Sequence, residues 1–145
     1  MKLGSHIIIS TSLSVFLYFI SKLYILALSS FIIGIFMDLD HFFEYFYHCG
    51  LELNIKKFFD LAEQYAYKKT FLLLHSWELL FIFSIIILVT SANEILLGIY
   101  VAYTIHLLFD QFGNLSRPLS YSFIYRWKNK FLVEKLWRTD LLGCK

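Results

Sequence analysis

The chain of 145 residues contains one proline, six glycines and two cysteines. So little turn punctuation excludes a fold of many short strands. Cys49 and Cys144 allow at most one bridge, which excludes a disulfide-stapled secreted domain, and they read as free thiols. Charge is also scarce: Asp, Glu, Lys and Arg make up 17% of the chain, against roughly 25% in soluble domains. The net charge of +2 implies no polyanionic partner, so no nucleic acid is expected to bind. In contrast, 59% of the residues are hydrophobic and 20% are aromatic, including sixteen Phe and ten Tyr. A disordered chain is excluded by that content. The composition predicts one membrane-embedded domain over residues 1–145.

Four apolar stretches stand out: Ser5–Ser21, Leu23–Met37, Phe71–Ser91 and Ile95–Phe109, with Glu78 the only charge inside any of them. The two shortest would reach only about 23 Å as helices, less than a hydrocarbon core of about 30 Å. They must thin the bilayer, extend through polar flanks, or pack with their ends below the lipid surface. The connections Ser21-Lys22 and Ala92-Asn93-Glu94 are short and suit helical hairpins. An open sheet cannot survive in lipid, so the β-branched run His6–Thr11 also reads as helix. Met1-Lys2 before an apolar run resembles a signal peptide, but no small-residue cleavage site follows. A retained first helix is expected. The predicted fold is all-α: an integral membrane four-helix bundle of two antiparallel hairpins.

Between the hairpins, Ile55, Phe58, Phe59, Ala62, Tyr65 and Ala66 recur at helical spacing. Lys56, Lys57, Asp60, Glu63, Gln64 and Lys68 fall on the other face. This predicts an amphipathic helix lying on the membrane surface. The tail from Arg117 mixes Arg126, Lys128, Lys130, Lys135 and Arg138 with Tyr121, Tyr125, Trp127, Phe131 and Trp137. Beside membrane helices that mixture reads as an interfacial belt, which also offers a surface for a protein partner. With four crossings, all of the thirteen Lys and Arg except Lys22 share one side. The positive-inside rule makes that side cytoplasmic, with both termini inside a cell inner membrane.

The ionisable residues converge on that side. His6 opens the first helix, and Asp38-Leu39-Asp40-His41 ends the second. His75, Ser76 and Glu78 start the third, and His106 and Asp110 finish the fourth. His106 and Asp110 stand at i, i+4 on one helix face, a spacing that lets two side chains share a metal. Asn114 extends the same stripe if Gly113 has not ended the helix. Each residue also has a structural reading. His6 can be an interfacial polar residue, and His106 with Asp110 a self-satisfied pair. Asp38 and Asp40 can mark a helix-ending turn, Glu78 can pair with Lys69, and His48 with Cys49 can sit in a loop. Four segments delivering such groups to one membrane level nevertheless point to a metal site, because ionisable groups in membrane segments are costly.

The ordered motifs Gly4-Ser5-His6, Asp38-Leu39-Asp40-His41, Leu74-His75-Ser76-Trp77-Glu78 and His106-Leu107-Leu108-Phe109-Asp110 resemble those of the membrane-bound metal-dependent hydrolases of the bacterial inner membrane. That family is similar, distantly, to zinc-dependent phospholipase C and P1 nuclease. The resemblance implies metal-ligand positions at His6, Asp38, Asp40, His41, His75, His106 and Asp110. Many members carry His-Arg and Thr before the His-Ser motif, where this chain has Tyr67-Lys68-Lys69-Thr70. A ligand is therefore either missing or supplied by His48.

Seven N and O ligands exceed the three that one catalytic zinc needs, leaving room for two ions bridged by Asp38 or Asp40. Zn²⁺ suits this donor set best, with Mn²⁺ or Fe²⁺ as alternatives. The expected activity is hydrolysis of a phosphodiester or ester in a lipid or lipid-linked substrate. Glu78 is the expected proton carrier and Ser76 the expected orienter of a ligand. Two rival readings stand: a metal-stabilised membrane anchor that binds a partner, and an ion transporter.

Overall fold

The computed structural model describes residues 3–138 except 53, 64–66 and 115. Tyr65 and Ala66 of the predicted amphipathic helix, and Cys144, lie outside the described residues. Eight helices follow in order: α1 Leu3–Ser21, α2 Tyr24–Phe36, α3 Leu39–Cys49, α4 Ile55–Glu63, α5 Trp77–Val89, α6 Glu94–Gly113, α7 Phe123–Lys128 and α8 Val133–Leu136. Among the described residues helix is the regular element and there are no strands, the extended pairing being limited to the isolated bridges Lys69–Leu132 and Ser116–Trp137.

Three stretches are long and apolar enough to cross a membrane: Gly4–Ser21, Tyr24–Cys49 and Glu94–Gly113. The second differs from the expected one, which ended at Met37. A turn at Met37-Asp38 separates α2 from α3, yet the apolar run continues through both for 26 residues. The third expected crossing is also altered. Its helix begins only at Trp77, because Ser76 Oγ accepts the Leu79 amide at 3.1 Å and caps it there. Thus α5 has 13 residues and spans about 20 Å.

Helix α2 packs against both α1 and α6, and α5 packs against α6. Close approach depends on small residues, since lipid supplies no hydrophobic drive between helices. A Cβ on Gly98 would collide with Ser29 Oγ and the Leu26 carbonyl, and one on Gly34 would collide with Ser10. Ser14 Oγ donates to the Ala27 carbonyl across the α1–α2 contact at 2.7 Å. Ile8, Phe19, Tyr24, Phe81 and Leu88 face outward and are well exposed. Those outer faces suit contact with acyl chains. Inside, Met37, Leu80, Tyr103, Leu107 and Tyr121 form one buried apolar cluster.

Helix α4 lies where the amphipathic pattern placed it. Phe58 is buried, stacked on Phe42 of α3 at 4.3 Å between centroids, whereas Ile55 is exposed. The tail departs from the expected belt. Tyr121, Arg126 and Trp137 are buried, and Val133, Leu136 and Trp137 cluster with Leu72. Main-chain bonds stitch the tail to the segment before α5: the Thr70 amide donates to Phe131, Val133 to Lys68 and Trp77 to Tyr121. Trp127 remains exposed. The reason for the departure is that residues 67–76 form no helix and need outside partners for their backbone groups.

Candidate metal centre

His6 projects from α1 and is buried. Asp38 sits in the break before α3, and His41 follows in the first turn of that helix. His75 lies in the irregular segment ahead of α5, and His106 and Asp110 lie on the last turns of α6. Four separate parts of the chain therefore bring these side chains together.

Two donor sets result, one of His6, Asp38, His106 and Asp110, the other of Asp38, His41 and His75. Within each, the offered atoms lie within 4.8 Å of one another. Asp38 belongs to both. The tightest part of the cluster draws on both sets. His75 Nε2 stands 3.1 Å from His106 Nε2, 3.3 Å from Asp110 Oδ2 and 3.6 Å from Asp38 Oδ1. His106 Nε2 stands 3.4 Å from Asp38 Oδ1 and 3.5 Å from Asp110 Oδ2. Four donors around a tetrahedral ion at about 2.0–2.2 Å lie about 3.3–3.6 Å from one another. Four of these five spacings fall in that range and the His75–His106 one is slightly shorter, so this buried group could hold a metal ion.

The other oxygens of the same carboxylates face His6. Its Nε2 is 3.5 Å from Asp110 Oδ1 and its Nδ1 is 3.9 Å from Asp38 Oδ2. His6 also stacks on His106 with centroids 4.6 Å apart. His41 stands at the edge, with Nε2 3.9 Å from Asp38 Oδ1 and its side chain 30% exposed. No chain family, curated protein or solved structure matches this protein.

Asp40 takes a place different from the one expected. It stands behind His75, whose Nδ1–H donates to Asp40 Oδ2 at 2.9 Å, and the Leu74 amide donates to the same oxygen at 3.1 Å. With the proton on Nδ1, a neutral His75 presents the bare Nε2 lone pair to the cluster, which is the tautomer a metal requires. Asp40 belongs to neither donor set. The physical cause is the break at Met37-Asp38. It sends Asp38 to the donor cluster and Asp40, two residues on, to the far edge of the His75 ring.

Electrostatically the centre calls for positive charge. Burial disfavours a charged His75, but Asp40 and then Asp110 and Asp38 outweigh that and raise its affinity for a proton well above the ordinary imidazole level. Asp38 Oδ2 and Asp40 Oδ1 are buried without a hydrogen-bond partner among the described residues. A cation in the cluster would relieve the carboxylates as a proton does. This observation tests the metal assignment, and the donor set fits it.

Glu78 lies elsewhere. Its Oε1 accepts from Ser122 Oγ at 2.5 Å and from the Ile124 amide at 3.2 Å, and its Oε2 accepts the Phe123 amide at 2.8 Å. It anchors the start of α7. Ser76, the expected orienter, caps α5 instead. His48 Nε2 meets the Lys69 carbonyl at 2.9 Å and its ring stacks on Tyr67, so it belongs to neither donor set. Gly113 ends α6, so Asn114 does not continue the helical stripe, but as its C-cap it still reaches the site: its Nδ2 donates to Asp110 Oδ1 at 3.1 Å and to Tyr121 Oη at 2.6 Å. Sequence reasoning missed Tyr121, and Tyr103, whose hydroxyl donates to the Leu74 carbonyl at 2.6 Å. Only Tyr103 carried a signal, lying one turn before His106 on the same face of α6.

Proposed function

We propose that this protein is a membrane-embedded metal-dependent hydrolase whose site lies at the cytoplasmic interface and acts on the headgroup ester or phosphodiester of a lipid-like substrate. The observation that carries this reading is the sharing of Asp38 between two donor sets, one buried and one opening at His41. A single structural ion would need only four donors, such as His75, His106, Asp38 and Asp110. His6 and His41 would then have no work to do. Their presence favours a second ion or a bound substrate beside the first.

The bundle is read as two antiparallel helical hairpins, α1 with α2–α3 and α5 with α6, whose ligand-bearing ends meet at headgroup depth. Zn²⁺ is the preferred ion, with Mn²⁺ or Fe²⁺ able to use the same imidazole and carboxylate donors. When bound, the ion supplies Lewis-acid polarisation and neutralises charge on the attacked group. The chain's own residues do the rest. Asp40 holds the His75 ring in its ligand tautomer, and Asn114 holds Asp110. The proton removed from attacking water goes to Asp38 Oδ2, the buried oxygen beside the donors with no partner of its own. The motif resemblance to membrane-bound metal-dependent hydrolases supports the same reaction class.

A metal-stabilised anchor is the second reading, favoured if four of these donors close around one ion and leave no open position. Detergent-purified protein should carry a divalent ion in stoichiometric amount and hydrolyse phosphodiester or ester substrates. Asp110→Ala should lose both, by removing a ligand of the buried set and the i+4 partner of His106. Metal binding without turnover across such a screen would leave the anchor. Absence of stoichiometric metal after loading with Zn²⁺, Mn²⁺ or Fe²⁺ would overturn both readings.

A further inference from the structure

Arg126 has no solvent exposure, although it sits in a tail rich in solvated cations. A buried guanidinium is costly unless its donors are satisfied, so its partners are informative. Nη1 donates to the carbonyls of Phe71 at 2.6 Å and Leu72 at 2.8 Å, and Nη2 donates to the carbonyl of His75 at 2.8 Å. All three acceptors belong to the single non-helical segment that delivers His75 to the donor cluster.

That segment cannot hold its own shape. Leu72 adopts a positive φ of 40°, a region where a residue with a Cβ is strained and persists only if its surroundings fix it. Its amides are taken by carboxylates of α3: Glu44 Oε1 accepts from Phe71 at 2.7 Å, and Asp40 accepts from Leu74. Its carbonyls are taken by Arg126 and by the Tyr103 hydroxyl. Through Arg126 a side chain of the tail joins this set. Its rigid fork reaches three carbonyls at once, which a lysine ammonium on a flexible stem does not reproduce.

We infer that Arg126 is a positioning residue of the metal centre, fixing the Phe71, Leu72 and His75 carbonyls so that His75 Nε2 meets His106, Asp38 and Asp110. The tail thereby becomes part of the site without supplying a ligand to it. This inference rests on the metal reading above. Residues that orient a ligand typically change metal affinity by about 10–100-fold when removed.

Full-length protein, Arg126→Lys and Arg126→Met are loaded with Co²⁺ and compared by visible absorption and by metal competition. Leu26→Ala, on the far part of α2, serves as an equally destabilised control. Four-coordinate cobalt gives intense visible bands, and these weaken when a displaced protein ligand lets added waters raise the coordination number to five or six. Arg126→Met should bind metal about 10–100-fold more weakly, with weaker bands. Arg126→Lys should fall between it and the parent, and Leu26→Ala should keep parental bands. If Arg126→Met does not fold, Arg126→Lys decides the matter. Parental affinity and bands in every folded Arg126 variant would overturn the inference while leaving the metal centre standing. Bands that fall equally in Leu26→Ala would also overturn it, by showing a general effect of stability. A parent chain that binds no Co²⁺ would remove the metal reading and this inference together.

Discussion

Glu78 turns its charge toward the amides that start α7 and not toward the imidazoles a helical turn away. Glu78→Gln keeps the volume but leaves one amide N–H facing another donor. The loss should be about 1–3 kcal/mol of stability, the range for a hydrogen bond to a charged group. Metal content should stay parental. Thermal unfolding beside metal analysis checks this, and unchanged unfolding with lost hydrolysis would return Glu78 to proton transfer.

His75 gives the residue scale its pH dependence. It is faced by Asp40 from α3, by Asp38 from the break, by Asp110 and His106 from α6, and by His41 at its margin. Its affinity for protons is raised in the folded chain, burial opposing and the carboxylates winning. In the metal-free protein the protonated ring therefore contributes stability that is full below the ordinary imidazole value of about 6.5 and is lost as pH rises through the folded value. A metal competes for the same Nε2 and gains as the proton leaves. The thermal shift produced by added Zn²⁺ should grow with pH from 5.5 to 8.5. A shift that shrinks over that interval would contradict ligation by His75.

At the scale of elements, the α2–α6 contact is set by Gly98. Gly98→Val should force the two helices apart and cost about 1–3 kcal/mol, as overpacking does. Gly4, around which a Cβ meets nothing within 4 Å, is the control: Gly4→Val should leave unfolding unchanged. Unfolding in detergent compares the two, and equal stability of both variants would deny the close approach. Helix periodicity made His106 and Asp110 legible in the sequence, because both lie on one face of a single regular helix, whereas Asn114 lies just past its end. Asp38 and Asp40 could not be sorted in that way. The break at Met37-Asp38 resets the helical phase between them, and nothing in the local residues says by how much. His75 was legible as a ligand but not as a loop residue, since Phe71–Leu74 is apolar enough to look like helix. Its true partners, Arg126, Tyr103 and Glu44, are distant in sequence and carry no periodic mark. The tail was misread for the same reason: aromatic and basic residues describe a belt and a buried clasp equally well.

For the whole molecule, three stretches have the length and apolarity to cross a bilayer, and α5 is shorter. If all four cross, Asn93 lies opposite both termini. A membrane-impermeant thiol reagent applied to intact cells should label a cysteine placed at Asn93 and leave Cys144 unmodified. The reverse pattern would invert the orientation, and labelling at both positions would mean that fewer than four helices cross.

The donor atoms enter the cluster from positions 6, 38, 41, 75, 106 and 110, so the order of synthesis runs through the site from one side to the other. A growing chain offers first a lone imidazole, then a carboxylate and a second imidazole, and it completes the donor cluster only when α6 has been made. The backbone around His75 becomes fixed later still, once residues 121–132 can donate to and accept from it. If the cluster holds an ion, capture is therefore a late event in the birth of this protein, since a chain stopped short of α6 lacks both His106 and Asp110.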